Sequence, residues 1–140
     1  MTVKQLFQEL NADYRTLPDK LDASTCDDFV TQFRAVFSGP EAKEARGVVY
    51  VWSVQTAIPR LRGQSKVLYI GQTIQSLCQR WRPYARRMGK NCWDRYNYII
   101  ATYGPISVHY ATCPDPDPRE GEARLLLCYF EEHLEYPPAN

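Results

Sequence analysis

The sequence predicts an α+β domain: a small three-stranded antiparallel sheet flanked by helices, preceded by a helical extension. Three observations carry this. Two apolar runs rich in β-branched and aromatic residues, Gly47–Trp52 and Val67–Thr73, lie close enough to pair as neighbours. A third run, Ile106–Ala111, alternates apolar and polar residues with the period of a half-buried strand. The segments before, between and after them show helical spacing.

Residues 1–45 read as the helical extension. Val3, Leu6, Phe7 and Leu10 follow helical spacing, and Leu17-Pro18 breaks the pattern. Ser24 or Thr25 can cap a second helix that runs through Phe29, Phe33, Val36 and Phe37 and stops at Ser38-Gly39-Pro40. The first strand spans Val48–Val54, and a connection containing Pro59 and Gly63 leads to a second strand at Val67–Gly71. A helix over Ser76–Met88 follows, capped by Ser76 or Thr73; Pro83 falls inside it and should kink or split it. Another helix spans Cys92–Tyr103 and ends at Gly104-Pro105. After the third strand, Pro114, Pro116 and Pro118 make a stiff loop, and a last helix covers Arg119–Leu134. The domain proper is therefore expected at residues 46–140.

At 140 residues the chain suits a single hydrophobic core. No run of about 18 apolar residues is present, and the N-terminus has no secretory pattern. The five cysteines are odd in number and none has C-x-x-C spacing, which argues against a zinc knuckle or disulfide framework and for a reducing, cytoplasmic setting.

The net charge of +1 conceals a strong segregation. Residues 1–45 hold five Lys/Arg and eight Asp/Glu, a net −3. Residues 46–96 hold ten Lys/Arg and one acid, Asp94, a net +9. Residues 97–140 hold two Lys/Arg and seven Asp/Glu, a net −5. A basic middle third suits contact with phosphates. Arg82, Arg86, Arg87, Lys90 and Arg95 are interleaved there with Trp81, Tyr84, Trp93 and Tyr96. Cations contact the nucleic-acid backbone and aromatics stack on bases, although some of these aromatics must fill the core.

The order of chemistry-bearing residues resembles the GIY-YIG nuclease domain over about residues 46–140. Tyr69-Ile70-Gly71 matches the second motif letter for letter. The first is represented by Val48-Val49-Tyr50, with Gly47 one residue earlier than the family pattern places it. Arg80 follows within Ser76-Leu77-Cys78-Gln79-Arg80-Trp81, and Tyr84 lies four residues on. Glu122 precedes the aliphatic run Leu125-Leu126-Leu127, and Pro137-Pro138-Ala139-Asn140 supplies a closing Pro-rich turn and Asn. The resemblance implies a metal-dependent endonuclease that hydrolyses phosphodiester bonds in DNA. Its catalytic residues would be Tyr50, Tyr69, Arg80, Tyr84 and Glu122. Glu122 would hold Mg²⁺ or Mn²⁺, ions that prefer hard oxygen ligands. Arg80 would bind the scissile phosphate through paired hydrogen bonds. Tyr50 or Tyr69 would orient or deprotonate the attacking water; an ordinary phenol titrates near pH 10, so it needs a cationic neighbour such as Lys66, Arg80 or the metal. Lys66, Arg82, Arg86, Arg87, Lys90 and Asn140 would contact nucleic acid. Two alternatives remain: a catalytically weakened nucleic-acid-binding module of the same fold, and an RNA-cleaving enzyme. With only a small acidic extension beside the domain, targeting would come from a protein partner or from self-association.

Overall fold

The computed structural model describes residues 1–113 and 117–140. In chain order the elements are α1 (Val3–Gln8), β1 (Arg15–Thr16), α2 (Cys26–Val36), α3 (Pro40–Glu44), β2 (Arg46–Pro59) and β3 (Gln64–Ser76). They continue with α4 (Leu77–Trp81), a 3₁₀ turn at Arg82–Tyr84, α5 (Ala85–Tyr103), β4 (Ser107–Thr112) and α6 (Pro118–His133). The class is α+β, with an antiparallel sheet flanked by helices, but the sheet has four strands in the order β1-β4-β2-β3.

The fourth strand corrects the three-stranded expectation. Arg15 and Thr16 pair with Tyr110 and His109 on the free edge of β4. Leu17 N–H donates to Val108 O, and Leu21 and Ile106 exchange backbone hydrogen bonds farther along. A two-residue strand is shorter than the runs that periodicity detects, and Pro18 made this stretch read as a mere break. The other differences are of length. β2 and β3 extend well beyond the apolar runs because polar residues continue the ladder to the hairpin end. Pro83 does end α4, in keeping with its missing donor, and the 3₁₀ turn carries the chain into α5. The break expected before Cys92 is absent: Met88, Cys92, Tyr96, Ile99 and Tyr103 keep helical spacing toward the core, so α5 runs unbroken from Ala85. Pro118 opens α6 at its first position rather than lying in a loop, while Pro114 and Pro116 fall outside the described residues.

Thr25 is the cap of α2, its hydroxyl accepting from Asp28 N–H. That helix delivers Phe29, Phe33 and Phe37 to the larger of two cores, where they meet Trp52, Trp81 and Tyr96. Phe33 alone lies within 4.9–6.3 Å, ring to ring, of Phe29, Phe37, Trp52 and Trp81. The second core lies between the opposite sheet face and the helices α1 and α6: Leu6, Phe7, Val49, Val51, Val67, Ile70, Leu125 and Tyr129. Both cores therefore use residues from the first 45. Among the described residues no helix is long and apolar enough to cross a membrane.

His109 ties the sheet across its strands, with Nδ1 2.8 Å from Thr16 Oγ1 and Nε2 2.7 Å from Ser53 Oγ. Burial, aided by the charge of Lys20, lowers its pKa to about 4.

Replacing Phe33 with Ala removes the ring that joins α2 to the cluster beneath Arg80. The expected cost is about 3–5 kcal/mol, read from urea denaturation midpoints at unchanged slope. A loss below about 1 kcal/mol would mean that α2 packs only loosely on the sheet.

Candidate active site

Tyr50 sits on β2 directly opposite Gly71 on β3. Its ring covers that glycine: a Cβ at Gly71 would lie 2.6 Å from two ring carbons and 2.7 Å from the phenol oxygen of Tyr50. Backbone sterics thus explain why the tyrosine of one strand goes with the glycine of the next. Tyr69 stacks beside Tyr50, with ring centroids 6.1 Å apart and planes 29° from parallel. Trp81 meets both edge-on, each at 6.0 Å. Tyr50 is only 1% exposed, whereas Tyr69 is half-buried.

Arg80 comes from α4, whose start is fixed by a capping box. Ser76 Oγ accepts from Gln79 N–H at 3.0 Å, and Gln79 Oε1 accepts from Ser76 N–H at 3.1 Å. The guanidinium carbon of Arg80 lies 4.1 Å from the Trp81 ring centre and 5.5 Å from that of Tyr84. Aromatic faces on two sides hold the cation in place. Tyr84 reaches it although Pro83 ends the helix between them, because the 3₁₀ turn keeps both side chains on one side. Gln75, Gln79, Arg80, Trp81, Tyr84 and Met88 line a cleft of about 290 Å³. A larger cavity, about 680 Å³ on the β4 side, is lined by Asp13, Glu41 and Glu44 as well as Arg15, an acidic wall that disfavours phosphate.

Glu122 lies five residues into α6, past Asp117, whose side chain accepts from Arg119 N–H, and past Pro118. A Cβ at Gly121 would stand 2.9 Å from Val49 Cγ2 and 2.8 Å from Cys113 Sγ, so glycine there lets the helix lie against β2 and brings the next residue toward the tyrosines. The electrostatics report the convergence. Burial raises the Tyr50 phenol above its ordinary range and Tyr69 raises it further, while Arg80 and the indole N–H of Trp81 pull it down and Glu122 pushes it up. Trp81 Nε1 faces that oxygen without closing a hydrogen bond of standard geometry. Tyr69 is raised by burial, lowered by Arg80, and raised by Glu122. Four residues from four separate elements therefore share one electrostatic neighbourhood.

Burial also raises the Glu122 carboxyl. Among the described residues Glu122 makes no salt bridge, and no group of three or more acidic, His or Cys side chains gathers around it. A half-buried carboxylate with no cationic partner fits an ion that takes one carboxylate, keeps several waters and shares substrate oxygens, which is the habit of Mg²⁺.

The remaining predicted residues divide. Arg86, Arg87 and Lys90 are exposed on α5, and Arg87 comes within 5.4 Å of the Tyr84 ring centre, so this part of the basic run adjoins the cleft. Arg82 is exposed but turned toward α2, its Nε donating to Ser38 Oγ at 2.8 Å. Lys66 lies elsewhere. A bulge leaves Leu68 unpaired between Val67 and Tyr69, and beyond it Lys66 lines a separate cavity with Met1, Lys4 and His109. The cation that faces the tyrosines is Arg80. Asn140 spends its side chain on the sheet: Oδ1 accepts from Ile70 N–H at 2.9 Å and Nδ2 donates to Ile70 O at 2.8 Å. With Ala139 N–H donating to Leu68 O, the C-terminal turn closes the free edge of β3 beside Tyr69. Trp81 and Tyr96 are buried, and Trp93 packs against the same core, so Tyr84 is the aromatic of that run left at the surface. Sequence reasoning missed Gln75 and Met88 in the cleft wall; neither residue type carries a motif, and only the turn at Pro83 aligns them.

No family model, curated protein or solved structure matches this chain.

Because the folded-state pKa of Glu122 is raised above its ordinary value of 4.5, its charge opposes folding. The stability it contributes is full below that pH and is lost as pH rises through the folded pKa. Glu122→Gln should therefore raise the melting temperature at pH 7 to 8 and leave it close to wild type near pH 4. Thermal melts across that range test this; equal melting temperatures at neutral pH would mean the carboxylate is already compensated by a neighbour.

Proposed function

We propose that this chain is a metal-dependent endonuclease with a GIY-YIG-like domain, hydrolysing phosphodiester bonds in DNA. One observation carries the reading: Arg80 and Glu122, far apart in the chain, both act on the charge of the stacked pair Tyr50 and Tyr69, beside an exposed basic helix.

Hydrolysing a phosphodiester requires a placed nucleophile, neutralisation of the non-bridging oxygens and stabilisation of the leaving oxygen. Mg²⁺ or Mn²⁺ held by Glu122 would supply Lewis-acid polarisation and lower the pKa of water. Arg80 contributes a permanent charge in a forked geometry, pinned over Trp81 and Tyr84 so that little freedom is lost when phosphate arrives. Both phenols stay protonated at neutral pH, being raised by burial. They therefore act as hydrogen-bonding groups that orient water. Tyr69, half-buried, is the one within solvent's reach; Tyr50, beneath it on Gly71, fixes its position. Tyr84 braces Arg80. Asn140 holds the β3 edge on which Tyr69 stands.

Purified protein incubated with supercoiled plasmid, branched DNA and single-stranded RNA, with Mg²⁺ or EDTA, tests the reading. The expected result is DNA nicking or cutting that needs the metal and vanishes in Glu122→Gln, which still folds. Arg80→Ala should lower turnover by about two orders of magnitude, with poor rescue by Arg80→Lys because an ammonium lacks the fork. Undiminished cleavage in EDTA rejects the mechanism. Cleavage of RNA alone reassigns the substrate, and tight binding without cleavage favours the binding-module alternative.

The exposed basic helix face gives a separate expectation. In Arg86→Ala/Arg87→Ala, the slope of log affinity against log salt on duplex DNA should flatten by about one unit per lost contact. Affinity should fall for all sequences alike, while the rate at saturating DNA stays near wild type. An unchanged slope places the nucleic acid elsewhere.

A further inference from the structure

Helix α6 is apolar on two opposite faces. Pro118, Gly121, Leu125, Tyr129 and His133 are buried against the sheet. On the other side Ala123, Leu127, Phe130 and Leu134, spaced four, three and four residues apart, face solvent. Leu127 is 59%, Phe130 40% and Leu134 47% exposed, and the 54%-exposed Tyr136 extends the patch by packing on Phe130 with centroids 5.1 Å apart. A helix needs one apolar face to pack on its own sheet; a second, contiguous one open to water marks a surface that binds. A second observation falls on the same stripe. Leu134 caps the helix at φ 61°, ψ 19°, the left-handed region where glycine is favoured and a leucine is strained. The strain is borne by a side chain that faces water.

We propose that this face is a self-association surface, on which a second copy of the chain packs its own α6 antiparallel about a two-fold axis. Self-complementarity selects that occupant. The four-three-four spacing reads the same in both directions, so two-fold pairing sets Leu127 against Phe130 of the second copy and the small Ala123 against its Leu134. Arg124 and Glu131 lie on one flank of the stripe, both exposed. Antiparallel pairing sets like flank against like flank and so brings each toward its opposite in the second copy, twice over; parallel pairing would set this flank against the other one and leave both charges without that partner. One helical stripe with Tyr136 falls at or below the roughly 800 Å² per partner of a standard interface, so the dimer should dissociate at roughly micromolar concentration.

Sedimentation of the intact chain tests this without reference to catalysis. From about 1 to 200 µM the wild type should pass reversibly from monomer to dimer, and Leu127→Arg should stay monomeric with unchanged circular dichroism. Leu134→Gly should raise the melting temperature of the dilute monomer, by relieving the left-handed leucine, and weaken the dimer at least about tenfold. Arg124→Glu and Glu131→Arg should each weaken it, and the double variant should restore it. A wild type that stays monomeric throughout overturns the proposal. So does a dimer indifferent to Leu127→Arg, or a double charge swap that fails to restore association.

Discussion

The register between β2 and β3 is the constraint on which the candidate site depends. Tyr50 stands opposite Gly71 and Trp52 opposite Tyr69, and the bulge at Leu68 follows at once. A slip of one residue would exchange the two faces of each strand, sending Tyr50 toward the α6 side and Val49 toward the aromatic core. The register is protected twice over. The Tyr50 ring can lie flat only over a residue without Cβ, and the edge of β3 is taken up by the carboxamide of Asn140 and the N–H of Ala139. A contact at the end of the chain thus holds the strand that carries Tyr69.

Legibility in the sequence follows the range of the interactions. The two long strands and the split at Pro83 depend on neighbouring residues, so pattern and propensity suffice to find them. The capping box of Ser76 and Gln79, and with it the placement of Arg80, is local in the same way. What the pattern could not show depends on contacts across the chain. β1 exists because β4 offers a free edge, not because Arg15-Thr16 favours extension. Lys66 looks like a neighbour of Tyr69 by number, but it lines a separate cavity with Met1, Lys4 and His109. Asn140 reads as a substrate contact until the backbone of Ile70 is seen to take both its polar atoms. The first 45 residues, written as an extension, supply the phenylalanines that close the larger core around Trp52 and Trp81.

Charge and burial at this site oppose each other. Both tyrosines and Glu122 are raised by desolvation, and none of the three offers a positive charge. Arg80 breaks that symmetry. Its guanidinium stays charged in any environment, and its cost of immobilisation is met by the faces of Trp81 and Tyr84. A lysine there would shift its pKa instead, and the cleft would lose its one fixed charge beside the phenols.

Helix α6 joins these threads because three of its faces have different duties. One face closes the core below Val49 and Ile70 with Leu125 and Tyr129. Near its N-terminal end Glu122 stands half-buried toward the tyrosines, at an expense in stability that the apolar face offsets. The third face is apolar and open to water. Its far end is anchored by the β2–β3 hairpin: Arg62 Nε donates to Glu132 O at 2.7 Å, and Arg62 N–H to His133 O at 3.1 Å. Arg60 pairs with Glu135 just beyond the helix. The hairpin that sets the tyrosines thus also fixes the helix that carries the carboxylate. Tyr50 and Glu122, seventy-two residues apart in number, are held by one mechanical unit. Any load on the open face of α6 is carried to that unit through a packed helix rather than through a loop.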